Sequence, residues 1–190
     1  MIEVRSKIES HRCWPLAVHE AAHAILGVLF GLRLMRLEID LRSWEGSAIF
    51  HDRFPPHAWR QDLLVALAGE LAQKRADPTG WSLCNGVGSS RAEADQKQAW
   101  EAVGRFNDLP TIDDKERIAA LRLAEGARVS GLLVNKLWPT ITALAEKLLV
   151  ANGHLEGDSI ERFLTEELPA ETRRAIADGC EFANREPHGE

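Results

Sequence analysis

The sequence predicts a mainly α protein of the α+β class, a helical domain with one small β element beside its first helix. Apolar residues recur at helical spacing through most of the chain. Over one short stretch the period drops to two, where Leu37, Ile39 and Leu41 alternate with Glu38, Asp40 and Arg42. No repeat, low-complexity linker or domain boundary interrupts the 190 residues, so one domain is expected over 1–190.

The first helix is expected over Trp14–Phe30, with Pro15 suited to an opening position and Gly31 to the residue just past the end. The alternating stretch Leu34–Phe50 follows as two short strands, with Glu45-Gly46 as their turn and Pro55-Pro56 as the stop. Leu63, Leu67 and Leu71 mark a second helix from Ala58 to Arg75, ended by Asp77-Pro78-Thr79-Gly80. Ser90-Arg91-Ala92-Glu93 fits a capping box, opening a helix over Arg91–Phe106 with Asp95 in its early turns. Thr111 is placed to cap a helix through Ala124, and a helical region over Val129–Val150 is kinked or split at Pro139. Asp158-Ser159-Ile160-Glu161 repeats the capping-box pattern for a helix to Leu168, and Pro169 separates a last amphipathic piece.

Hydrophobic residues make up 45% and charged residues 27%, an ordinary globular balance rather than that of a disordered chain. The net charge of −6 argues against a general nucleic-acid binder, which needs basic surface to displace counterions. Met1–Ser10 lacks the apolar core of a secretory signal. The longest apolar stretch, Pro15–Leu34, carries His19, Glu20, His23 and Arg33, which a bilayer-spanning helix would not readily bury. Three well-separated cysteines, Cys13, Cys84 and Cys180, suggest reduced thiols and a cytoplasmic location.

His19-Glu20-Ala21-Ala22-His23 is an HExxH pattern. Residues four apart share one helix face, so both imidazoles can meet a single ion, and zinc accepts neutral imidazole nitrogen. Glu20 lies about 100° round the helix from His19. That position suits a general base, working on a water that bound zinc makes acidic. The surrounding Ala21, Ala22, Ala24, Ile25 and Leu26 suggest burial, where two histidines and a glutamate without a metal would be costly. A structural zinc would call for four protein ligands, often cysteines, and the cysteine spacing supplies no such set. Glu70, Glu93, Asp95, His51 and His57 are all candidates for the third ligand, and spacing does not choose among them. Cys13, a turn or two before His19, is either an inhibitory thiolate or a buried thiol. His51 and His57 are oxyanion donors or exposed loop histidines, and His154 and His188 read as surface residues. The acidic run Glu161–Glu171 is most simply a solvated face.

Five segments, in order, resemble the peptidase domain of the membrane-bound AAA proteases, the FtsH family (peptidase family M41). Ala17–Gly27 (AVHEAAHAILG) is similar to the zinc helix, and LEIDLRSWEGSAIF to the strand and turn after it. Leu63–Ala76 (LLVALAGELAQKRA) is similar to the family's glycine-containing helix. Ala92–Ala99 (AEADQKQA) resembles the segment that supplies an aspartate ligand, and Leu137–Ile160 the last conserved helix pair. The resemblance implies an M41-like metallopeptidase domain over 1–190, with His19, His23 and Asp95 on zinc and Glu20 as catalytic base. Glu70 is the rival third ligand. It also implies an edge strand pairing with extended substrate, with Ile39, Leu41 and Ile49 at its counterpart.

Ala22 stands where the family has glycine, a change a helix tolerates, and Gln73 where the family tends to have glutamate, which puts a supporting polar contact in question. No GxxxxGK[ST] loop occurs, so the chain has no ATP-driven unfolding of its own. The expected activity is zinc-dependent endopeptidase cleavage of unfolded or flexible polypeptides, with room for self-association or a separate ATPase partner. The alternative is a zinc-binding regulatory or adaptor protein that cleaves nothing.

Overall fold

The computed structural model describes residues 11–80, 89–104 and 112–182. Within them the chain forms helix α1 (Trp14–Leu29), strands β1 (Leu34–Asp40) and β2 (Glu45–Phe50), a 3-10 turn (Pro56–Ala58), and α2 (Trp59–Ala76). Then come α3 (Ser89–Gly104), α4 (Ile112–Lys136), α5 (Trp138–Val150), β3 (His154–Glu156), α6 (Gly157–Glu167) and α7 (Ala170–Phe182). The mainly helical α+β expectation agrees with this order. Among the described residues no helix is long and apolar enough to cross a membrane.

Helix α1 is the axis of the molecule. Pro15 sits in its first turn, and the chain leaves it through Gly31 at φ 92°. It is apolar nearly all round, so it needs neighbours on every side. It packs against α2, α5 and the sheet, and Ala17, Ala21, Ala22 and Ala24 let them approach closely at full burial. Leu16, Ile25 and Leu26 join Leu37, Ile141, Leu144 and Leu148 in the main core. A smaller core lies across α2, where Trp59, Leu63 and Ala66 meet Ala99, Ala102 and Val103 of α3.

The sheet is antiparallel with strand order β2-β1-β3, so β1 is central. Leu37 and Ile39 point into the core, as their alternation predicts. The turn falls at residues 41–44, not at Glu45-Gly46. Glu45 is already paired with Asp40, and Trp44 takes the left-handed conformation at φ 62° to close the loop. The Asp40 carboxylate secures this turn by accepting from the backbone N–H of Arg42 at 2.7 Å.

Other boundaries differ from the expected ones. Helix α4 runs unbroken through Ala124 and Gly126, because Gly126 is where α4 passes over Leu63 of α2. The break comes at Leu137, with Pro139 in the first turn of α5. Helix α3 begins at Ser89, so Ser90 is not its N-cap, and the Thr111 cap lies outside the described residues. Helix α6 starts at Gly157, ahead of Asp158, without a side-chain cap. Ser159 instead donates to the Glu156 carbonyl at 2.6 Å.

Gly157 shows how tightly α6 is set on the sheet, since a Cβ there would run into the backbone carbonyl of Leu34. A backbone atom cannot give way as a side chain does. Gly157→Ala is therefore expected to destabilise the fold by about 1–3 kcal/mol, the usual range for overpacking. Urea unfolding of the purified variant measures this, and an unchanged midpoint would contradict the described packing.

Candidate metal centre

Helices α1 and α2 meet along two matched stripes. His19 and His23 lie four apart on α1; Val65, Gly69 and Gln73 lie four apart on α2 and face them. The His19 Nδ1–H donates to Gln73 Oε1 at 2.8 Å, and the His23 Nδ1–H donates to the Val65 carbonyl at 2.8 Å. These acceptors set the tautomers and leave each Nε2 with its lone pair free to bind. Between them, Gly69 makes the space, because a Cβ there would collide with the Nε2 atoms of both histidines.

The third side chain comes from α3. Asp95 Oδ2 lies 3.0 Å from His19 Nε2 and 3.2 Å from His23 Nε2, and the two Nε2 atoms are 3.0 Å apart. Asp95 is set by the inner face of α3, where Ala99 and Ala102 are buried and Gln98 donates to Asp62 of α2 at 2.6 Å. Three electron-pair donors in a triangle of this size can share a cation between them. A tetrahedral ion with bonds of about 2.0–2.1 Å holds its ligands about 3.3 Å apart, so the triangle fits one within a few tenths of an ångström. Among the described residues, His19, His23 and Asp95 form the group able to hold a metal ion. The histidine side chains are 3% and 9% exposed and Asp95 18%, so the centre opens to solvent on the Asp95 side.

The same groups are strongly coupled electrostatically, and without a metal they favour an imidazolium–carboxylate pair. Burial acts to lower His23, but the Asp95 carboxylate outweighs it, helped by Glu20 and the Val65 carbonyl, and raises His23 to about 9. Burial acts to raise Asp95, and the two imidazoles reverse this and hold its carboxyl well below the usual carboxylate range.

Glu20, on the next face of α1, is 2% exposed beneath the sheet. Gly46 of β2 accommodates it, since a Cβ at that position would stand 2.7 Å from Glu20 Cγ and 2.9 Å from Oε1. The strand above has a definite polarity. Ile39 sends its N–H to the Gly153 carbonyl on the β3 side. By the alternation of an antiparallel ladder, its partner Gly46, and Ala48 two residues on, direct their backbone groups to the outer edge of β2.

Among the residues singled out from sequence, His19, His23 and Asp95 come together, with Glu20 adjoining. Glu70 does not join them and pairs instead with Lys74 at 2.5 Å, one turn along α2. Glu93, His51 and His57 are exposed and outside the group, His154 pairs with Glu156, and His188 lies outside the described residues. Cys13 is fully buried, its Sγ 3.9 Å from the Leu41 carbonyl, and burial raises its thiol. It is a core thiol rather than a ligand. The edge-strand expectation needs correcting. Ile39 is buried on the central strand with β2 and β3 on either side, and Leu41 is in the turn with its carbonyl taken by Arg12. Only Ile49 of the three lies on the edge strand β2. Gln73, whose contact was in question, holds His19 as an amide. Gly46, Gly69 and the Val65 carbonyl were not foreseen. A glycine within a leucine-rich helix, costing about 1 kcal/mol against alanine, was the available signal for Gly69.

Compared with known proteins, the chain matches no family model and no curated sequence.

Two outcomes follow for the centre. Gly69→Ala is expected to abolish stoichiometric metal binding while circular dichroism still shows a folded helical protein; full metal content in that variant would refute the described site. Metal uptake must also displace the proton that His23 holds below pH 9. Apparent affinity is therefore expected to rise about tenfold per pH unit from pH 6.5 to 8. Titration calorimetry in buffers of different ionisation enthalpy checks this, and uptake without proton release would contradict it.

Proposed function

We propose that the chain is a zinc-dependent endopeptidase that cleaves extended or unfolded polypeptides, its metal held by His19, His23 and Asp95. The observation that carries this reading is the buried Glu20 on the same helix as the two histidines, directly below the edge strand β2. A site for binding alone has no need of a carboxylate in that position. The nitrogen and oxygen donors, and a centre open on one side, favour zinc in a catalytic rather than a structural setting. The five ordered segments similar to the FtsH-family peptidase domain support the same reading.

Bound zinc supplies Lewis acidity, bringing a water's pKa to near 7 and polarising a carbonyl. The chain's own residues do the rest. Gln73 and Val65 hold the imidazoles in one tautomer and orientation. Glu20 accepts the proton of the attacking water on its carboxylate and returns it to the nitrogen of the leaving amine. The outward backbone groups of Gly46 and Ala48 pair with substrate main chain, recognising an extended strand rather than a particular side chain. Folded proteins cannot offer such a strand, so the substrates are flexible tails, peptides or chains unfolded by a separate ATPase.

The test compares zinc content and cleavage of unfolded casein for the wild type and Glu20→Gln. One zinc per chain in both, with cleavage reduced about 10²–10⁴-fold in the variant, is expected. Zinc in both and cleavage by neither would favour the adaptor alternative. Absence of zinc from the wild type, with none taken up on addition, would sink the reading.

A further inference from the structure

Beyond the metal-binding turns of α1 lies a cavity of about 470 Å³ that shares no residue with the metal centre. It is bounded by the C-terminal end of α1, the loop to β1, and helices α6 and α7. Its floor is apolar, with Leu29 and Leu164 buried and Leu32 half-buried. Its walls carry Arg33, Arg173 and Arg174 against a single carboxylate, Glu161. In a chain with net charge −6, that is a local reversal of sign.

The three guanidinium groups have no ion pair or side-chain hydrogen bond among the described residues, although Glu161 lines the same cavity. Arg33 and Arg174 are exposed at its mouth and Arg173 is half-buried in its wall. Three cationic side chains around one cavity with a single carboxylate repel one another, and an anion in the cavity would offset that repulsion. Guanidinium groups match the two oxygens of a carboxylate, while the leucine floor provides no polar partner for the rest of a ligand. The volume falls within the range of small-molecule sites, about 300–1,000 Å³.

We infer that this cavity is a binding site for a small amphipathic carboxylate, its head group held by Arg33, Arg173 and Arg174 and its apolar chain laid on Leu29, Leu32 and Leu164. The inference is independent of the peptidase reading and does not need the metal.

Octanoate titrated into the full chain by calorimetry tests it, with octanol and inorganic phosphate as the neutral and chainless comparisons. Saturable binding of one octanoate per chain is expected, at least tenfold tighter than either comparison and unchanged when the metal is removed by chelation. Arg173→Met and Arg33→Gln lie on different elements, so their thermal melts separate local loss from unfolding. Each is expected to weaken octanoate at least tenfold while melting like the wild type. Absence of octanoate binding at millimolar concentration would overturn the inference. So would phosphate binding as tightly as octanoate, or full affinity in both folded variants.

Discussion

Everything at the centre of this protein depends on how closely α1 can approach α2 at Gly69. A single Cβ at that point would occupy the space between the His19 and His23 nitrogens. The close approach buries two imidazoles, and burial of a polar ring is tolerated only when its N–H finds an acceptor. Helix α2 supplies both, one turn to either side of the glycine, from Val65 and Gln73. The stripe 65–69–73 thus does three jobs on one helix face: it accepts, makes room, and accepts again. The two Nε2 atoms then face each other and Asp95 in a triangle of the size that a bound ion would span.

The small sheet contributes position more than stability. Two glycines bring it onto the helices. Gly153, at φ 87°, lies against the Ile39 carbonyl, and Gly46 lies against Glu20. With β1 held between β2 and β3, β2 is an edge strand, above Glu20 and beside α3, which carries Asp95. Glu20, the His19–His23–Asp95 group and strand β2 therefore meet although they come from three separate elements.

Much of the local architecture was legible in the residues. The burial of α1, the alternation of β1 and the second helix all follow from apolar periodicity, which reports one element's own face. Boundaries were less legible. Ser90-Arg91-Ala92-Glu93 and Asp158-Ser159-Ile160-Glu161 both match a capping box, yet α3 and α6 begin ahead of each. The break expected between Ala124 and Val129 does not occur, and Gly126 within that stretch is a point of helix contact. The resemblance placed the edge strand at Ile39, Leu41 and Ile49, whereas β3 makes the strand of Ile39 central and only Ile49 lies on an edge strand.

What the sequence determined by itself is what lies within one turn of one helix: His19, Glu20 and His23, whose spacing alone puts two imidazoles on one face and a carboxylate on the next. Asp95, Gln73, Val65 and Gly46 each lie more than 20 residues from that turn. Their meeting depends on the register between α1, α2, α3 and β2. Periodicity is local and cannot carry that register. It was decided by the tertiary structure, through the fit of side chains at Gly69, Gly46 and the alanine face of α3.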